Sequence, residues 1–373
     1  VTERPLVIVG MSGGVDSSVA AVRLLEAGYR VEGLFMFNWD DPDSDCDAAR
    51  DYQDARSVCA ELGITLHRAR FAAEYREQVF EHFLHEYAAG RTPNPDILCN
   101  REIKFRRFLR HALRLGADFI ATGHYARIMQ GADGPRLLTA VDNDKDQTYF
   151  LHAIDTEALA RTLFPIGELT KPEVRRLAEQ AGFRTARKKD STGICFIGER
   201  DFNAFLSRYL PARPGAMVDC AGRELGVHQG LMFYTLGQRK GLGLGGAREG
   251  NGAPWYVLDK DLAGNRLIVG QDHDHPRLLS QTLWTEAPHW LAADPAPGLQ
   301  DGLRAKVRYR QNAQSCHITV QNGGLRVDFG TPQWAVTPGQ SIVFYRQEQC
   351  LGGAVIRDRL TLDSPTTDLE LPA

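Results

Sequence analysis

The apolar run Leu6-Val7-Ile8-Val9 passes without interruption into Gly10-Met11-Ser12-Gly13-Gly14-Val15-Asp16-Ser17-Ser18, and nothing else in the chain limits its fold so strongly. A short apolar strand, a Gly/Ser turn and an amphipathic stretch over 16–27 that stops at Gly28 make a strand–loop–helix unit. A second strand over 30–37 then requires the helix to cross a parallel sheet. The alternation continues with helices expected over about 48–62 and 74–89, stopped by Gly63 and Gly90. A helix over 102–115 leads through Gly116 into a strand over 118–122, and a helix over 171–181 and a segment over 201–209 close this half. This pattern predicts an α/β domain whose parallel sheet is covered on both faces.

From Pro211 onward the pattern changes to short strands broken by Gly and Pro. The stretch 316–329, centred on Asn322-Gly323, reads as a hairpin, and strands over 331–338 and 341–345 follow. The expected division is an α/β domain over 1–210, a small β-rich connector over 211–279 and a β-barrel over 280–362. Three domains suit a chain of 373 residues. Apolar residues at 43% and charged ones at 24% are a globular balance and exclude a largely disordered chain.

Seven cysteines with no CxxC pair fit a reducing cytosol better than a disulfide scaffold or a thiolate metal site. With no signal-like start and no bilayer-length apolar run, a cytoplasmic protein without a membrane partner is expected. The formal net charge of −3 means that any polyanion must be met by local basic patches.

Glycines let a backbone approach a phosphate group, and the helix start supplies N–H groups and the positive end of a dipole. Ser12, Ser17 and Ser18 add hydroxyls. The loop lacks the Lys of GxxxxGK[ST], which removes a kinase-like or GTPase-like reading. A bare glycine pair would be an ordinary turn; the whole string between a strand and a helix points to an anion site. Gly241-Leu242-Gly243-Leu244-Gly245-Gly246 also fits GxGxxG, but no βαβ unit surrounds it. The Asp272-His273-Asp274-His275 string has no complementary ligand cluster in the sequence, and no metal role is assigned to it.

Two cysteines stand in polar surroundings. Cys99 precedes a helix with Arg101 and Lys104 after it, where a thiol pKa should fall, and Cys195 follows Lys188-Lys189-Asp190 in a Gly-containing loop. Such a pair suits chemistry in which one thiol carries sulfur and another resolves it. Cys59 and Cys316 read as small buried hydrophobes, Cys46 lies in an acidic loop, and Cys220 and Cys350 look incidental. In the barrel, strand alternation over 304–310 would put Arg304, Lys306, Arg308 and Arg310 on one face, which favours an anionic partner. A second basic surface over 101–114 is partly a solvated helix face.

The string SGGVDSS looks like the PP-loop of the ATP pyrophosphatase superfamily. Together with RTPNPDILCNREIKF, ATGHYAR, DQTYFL, DSTGICFIG and LGQRKGLG it closely resembles bacterial tRNA-specific 2-thiouridylases, in order from 6 to about 360. The resemblance implies a PP-loop ATP-binding catalytic domain, a connector and a tRNA-binding barrel. It implies ATP, with Mg2+ on its phosphates, at Gly10, Met11, Ser12, Gly13, Gly14, Val15, Asp16 and Ser17, with Met36 and Gly123 at the adenosine. It makes Cys99 the nucleophile and Cys195 the bearer of a persulfide. Asn94, Pro95 and Asp96 would meet the target base; His124, Lys145, Asp146, Gln147, Arg308, Tyr309 and Gln340 would contact tRNA. The implied activity is 2-thiolation of the wobble uridine through adenylation of its C2 oxygen. A cysteine desulfurase or sulfur-relay protein would be the sulfur donor. A PP-loop ligase delivering nitrogen would need no thiol pair; a non-catalytic nucleotide-regulated RNA-binding protein would suit the basic strand but would form no AMP in response to RNA.

Overall fold

A computed structural model of the chain describes residues 4–40, 45–190, 201–244, 252–291 and 301–364. The first domain is built on a five-stranded sheet in the order Leu66–Arg70, Arg30–Phe37, Leu6–Gly10, Phe119–Ala121, Thr162–Leu163, with every pairing parallel. All five residues of Leu6–Gly10 are buried. Its side chains alternate between two cores: Leu6 and Ile8 join Phe80, Phe83 and Phe108 on one face. Val7 and Val9 join Val19, Val58 and Val174 on the other. Two-sided burial explains why this strand reads as a continuous apolar run. The edge strand Leu66-His67-Arg68-Ala69-Arg70 carries charges that suit an edge and hide it from an apolar pattern.

Three local expectations change. The helix expected from about 48 begins at Asp45, so the backbone of Cys46 belongs to a helix rather than an acidic loop. The helix expected over 102–115 is a longer composite: Pro95–Leu98 (α), Cys99–Arg107 (π) and Phe108–Arg114 (α). Pro95 occupies its first position and Asn94 caps it, Oδ1 accepting from Asp96 N–H at 3.1 Å. Finally, strands expected over 325–329 and 331–338 are one strand, Gly324–Trp334, which stops at Ala335 with φ of +48°.

The connector is a four-stranded sheet in the order Trp255–Asp261, Arg266–Gln271, Gly215–Val218, Glu224–His228. In the last domain the long strand Gln349–Thr361 pairs with both Ser341–Arg346 and Leu279–Thr285 and so closes a barrel. The hairpin Gln314–Gln321/Gly324–Trp334 turns on Asn322 (φ +50°) and Gly323 (φ +76°), the left-handed pair that a tight hairpin requires. A hairpin from the first domain, Arg127–Gly131/Gly134–Leu138, adds to the barrel sheet through Leu137↔Cys350 and Leu138↔Gln349. The outer intervals of the sequence are therefore knit into one sheet.

His152 sits at that seam, buried, with Nδ1 donating to Tyr149 O at 2.9 Å. Gly353 makes room for it: a Cβ there would lie 2.5 Å from His152 Cδ2. Burial depresses the imidazole from 6.5 to about 4. With the folded-state value below the unfolded one, stability from the neutral ring is whole above about pH 6.5 and is lost as pH falls toward 4. The span is worth about 3 kcal/mol. His152→Asn, whose amide keeps a donor for Tyr149 O, should flatten the acid limb of urea-unfolding stability measured against pH. An unchanged limb would remove His152 from that account.

Candidate functional site

The Gly/Ser loop lies at the carboxyl end of the central strand, where open parallel sheets place ligands. Gly13 has φ of +73°, and a Cβ on it would come within 2.2 Å of Asp51 O. Gly123, after the neighbouring strand, lies so close that its Cβ would meet Asp16 C and Ser17 N at 2.7 Å. Side chains are excluded at both positions by backbone. Ser17 Oγ accepts from Ser12 N–H at 3.2 Å, while Ser17 and Ser18 hydroxyls donate to Gly14 O at 3.2 and 2.9 Å. Those two serines therefore shape the loop, and its exposed hydroxyl is Ser12's. Helix Val15–Glu26 has no side-chain cap on its first turn, which leaves backbone donors facing the sheet end.

Charged residues from distant parts of the chain surround this loop. Asp16 takes Lys171 Nζ at 2.8 and 2.9 Å and the Tyr125 hydroxyl at 2.9 Å. Lys171 also reaches Asp190 at 2.8 Å, which is shared with Lys145 at 2.9 Å and Arg175 at 3.0 Å. Burial opposes ionisation of Asp190, but the hydrogen bonds from Lys171 and Lys145 outweigh it and hold its carboxyl below the usual range. Lys188 Nζ donates to Gly13 O at 3.0 Å and pairs with Asp51 and Asp54 at 2.7 and 2.6 Å. Burial would lower its ammonium; those two carboxylates more than compensate and raise it.

Lys171, Tyr125, Arg175 and Lys188 escaped the sequence reading of this site. One signal pointed to Lys171: it opens the helix Lys171–Gln180 before Pro172, where the helix dipole disfavours a cation. A lysine there needs a carboxylate partner from elsewhere.

Cys99 follows the first turn of the composite helix and is 1% exposed, packed in the core with Ile97, Ile103 and Phe105. The expectation of a thiol in a polar loop is corrected for Cys99: an apolar helix face carries it inward. Cys195 lies outside the described residues. The helix's basic surface is partly an internal network, since Glu102 accepts from Arg101 at 2.7 Å and Arg106 at 2.6 Å, and Arg106 also reaches Asp155 at 2.9 Å. Burial raises the Asp96 carboxyl against the pull of Lys104. Farther along the same run, Phe108 contacts the loop: a Cβ on Gly10 would lie 3.3 Å from Phe108 Cε1 and 3.4 Å from Met36 Cε. One helix thus links Cys99 to the phosphate loop.

The remaining candidates divide by partner. His124 is buried between Phe105 and Phe164, bonded through Nδ1 to Thr122 Oγ1 at 2.7 Å, and burial holds its ring neutral. Asp146 is buried and accepts from Ala140 N–H and the Thr148 hydroxyl at 3.1 and 2.8 Å. Gln147 Oε1 accepts from Tyr125 N–H at 2.9 Å. The four-cation strand face does not form, because the strand is only Leu303–Lys306. Lys306 turns inward to Asp146 at 3.5 Å, and Arg308 donates to Leu236 O, Ala335 O and Thr337 Oγ1 at 2.9, 2.8 and 3.1 Å. Only Arg304 and Arg310 of the four are exposed. Tyr309 packs its ring 4.4 Å from Phe150, and Gln340 Nε2 donates to Thr92 O at 2.7 Å. Among the described residues no group of three or more His, Cys, Asp or Glu could hold a metal, and no helix is long and apolar enough to cross a membrane.

Three family profiles match the chain in succession: a tRNA methyl transferase HUP domain over residues 5–199, a tRNA methyl transferase PRC-barrel domain over 203–271 and an aminomethyltransferase beta-barrel domain over 280–356. The chain is 59% identical over 364 residues to the tRNA-specific 2-thiouridylase MnmA of Acinetobacter baumannii, covering 94% of this chain and 96% of the relative. The proteins of the same name from Acinetobacter baylyi and Sodalis glossinidius are 58% and 59% identical over 376 and 362 residues. Those alignments cover 97% and 95% of this chain and 98% and 97% of the relatives.

Proposed function

The chain belongs to the tRNA-specific 2-thiouridylase family, and from that premise we propose that it spends ATP and a cysteine-borne sulfur to make 2-thiouridine at the anticodon wobble position. The observation that carries the reading is the continuous helix that holds Cys99 at one end and touches Gly10 of the phosphate loop through Phe108. Activation by a nucleotide and attack by a thiol need adjacent sites, and this arrangement supports such a pair.

ATP suits the loop because the uncapped first turn of helix Val15–Glu26 offers backbone N–H donors at the carboxyl end of the central strand. The residues proposed to hold it run from Gly10 to Ser17, with Met36 and Gly123 beside the adenosine and Mg2+ carried on the phosphates. Lys171 and Lys188 supply positive charge around the phosphates, where charge develops as pyrophosphate leaves. The uridine C2 oxygen attacks the α-phosphorus; pyrophosphate departs, and the oxygen becomes part of an AMP leaving group.

The terminal sulfur of a Cys195 persulfide then bonds to C2 and AMP leaves. The Cys99 thiolate attacks the Cys195 sulfur, releasing the thiocarbonyl and leaving a Cys99–Cys195 disulfide, which a thiol reductant returns to two thiols. The persulfide is reloaded by a sulfur-donor protein. Asn94, Pro95 and Asp96 receive the target base. Lys145 and Tyr309 face the tRNA, while the buried His124, packed on Phe105 and Phe164, supports them from inside and Asp146 and Gln147 hold backbone around them. A cytoplasmic setting goes with this chemistry.

Incubation of the protein with ATP, a persulfide donor and tRNA should yield 2-thiouridine on nucleoside mass spectrometry, with AMP and pyrophosphate as the nucleotide products. ADP as the main product, or no thiolated nucleoside, would reject the reading in favour of nitrogen ligation or plain RNA binding.

A further inference from the structure

The segment 90–94 joins the helix Glu81–Ala88 to the Asn94 cap of the Cys99 helix, and it is gripped from both later domains. From the barrel, Gln340 Nε2 donates to Thr92 O at 2.7 Å, and Pro338 O accepts from Thr92 N–H at 3.1 Å. Gly339, with φ of +90°, permits this approach: a Cβ there would stand 2.9 Å from Thr92 N. From the connector, Lys260 Nζ donates to Gly90 O at 3.1 Å, and Leu262 packs where a Cβ on Gly90 would come within 2.5 Å of it. Arg308 fastens the gripping turn to the connector through Leu236 O, Ala335 O and Thr337 Oγ1. A cavity of about 170 Å³ lies on each side, one lined by Pro93, Asn94 and Gly339, the other by Thr92, Lys260 and Pro338. The grip thus joins hydrogen bonds to close backbone packing, with a cavity beside each set of contacts.

We propose that Gln340 and Lys260 are positioning residues, which set the place of Cys99 by holding segment 90–94 from the barrel and from the connector. The link is short. Thr92 stands two residues before the cap that starts the helix, and Cys99 follows that helix's first turn. Displacement of the segment is therefore passed to the thiol as a rigid shift of a helix start. A tRNA seated on the barrel would act on Cys99 through the same turn. Gln340 then works from inside the protein, where the family resemblance casts it as an RNA contact. The inference rests on Cys99 being a reacting thiol, but its test needs no turnover.

Gln340→Met and Lys260→Met remove one donor each at similar volume. The readout is the rate at which iodoacetamide alkylates Cys99 in the full chain without tRNA, followed by peptide mass spectrometry. Cys59 and Cys350, buried at 2% and 0% exposure, serve as controls. Both variants should change the Cys99 rate several-fold and leave Cys59 and Cys350 as in the parent protein. The single-turnover thiolation rate should fall by roughly ten- to a hundredfold, as for a reacting group displaced by about an ångström. Affinity for tRNA and its salt slope should stay unchanged. A parental Cys99 rate in either variant overturns the proposal, as does equal acceleration at all three thiols, which marks general loosening. Weakened tRNA affinity with parental alkylation in Gln340→Met would make that residue an RNA contact. If Gln340→Met fails to fold, Lys260→Met decides alone, since its hydrogen bond to Gly90 O comes from the connector. Failure of thiolation in the parent protein would reject the proposed function and leave the alkylation result standing.

Discussion

Cys195→Ser and Cys99→Ser should each lose 2-thiouridine formation under turnover by on the order of 10³-fold or more, as expected when a covalent participant is removed. Serine keeps the volume and a weak hydrogen-bonding group but no thiolate. Both variants should fold and bind ATP and tRNA like the parent. Because Cys99 is buried at 1% exposure, Cys99→Ser should lose stability by roughly 1–3 kcal/mol for placing a hydroxyl there. The other thiols give the contrast. Burial pushes Cys59 up to about 11 and Cys316 up to about 12, and it raises Cys350 as well, so all three stay protonated and inert near neutral pH. Serine at Cys59, Cys316 or Cys350 should lower the unfolding midpoint while thiolation survives. Sulfur loading is read separately, as added mass on the Cys195 peptide after exposure to donor. Full activity in a folded Cys195→Ser protein would give the carrier role to another group.

Asp16→Ala should suppress tRNA-dependent AMP formation by about 10²–10³-fold, the scale of a preorganised electrostatic contact at a reacting phosphate. Asp16 anchors Lys171 and the Tyr125 hydroxyl against the loop, and it lies in the helix turn that supplies the backbone donors. Lys171 keeps Asp190 when Asp16 is gone, so the lysine remains paired but swings away from the phosphates. The variant should therefore stay folded and bind tRNA with unchanged affinity, because none of its altered contacts reaches the barrel. Chromatography of the nucleotide products, with tRNA present and absent, measures the effect. AMP formation at the parental rate would remove Asp16 from the nucleotide site.

Local pattern decided much of this protein. The continuous apolar run before the Gly/Ser loop required a central parallel strand, and Asn322-Gly323 required a hairpin. The loop itself was legible because glycine tolerance, strand and helix signals all lie within about a dozen neighbouring residues. Boundaries were less so. The start of the Cys99 helix at Pro95 was hidden because Asn94-Pro95-Asp96 reads equally as a turn and as a capped helix start.

What only the tertiary structure decided depends on partners far apart in the chain. Lys171 meets Asp16 across 155 residues and Lys188 meets Gly13 across 175, and no sequence window contains either pair. The expected basic face from Arg304 to Arg310 failed for the same reason. Alternation specifies a face only while the strand lasts; this one ends at Lys306, after which Arg308 takes carbonyls from the connector and the barrel. Likewise, nearby charges gave Cys99 a polar address in the sequence, yet its core neighbours Ile97 and Ile103 turn the thiol inward. Sequence therefore determined which groups the protein owns and which local shapes they make. The folded chain determined which charges are already paired, which thiol is covered and which segment holds it, because burial and ion pairing are properties of contacts closed over long loops.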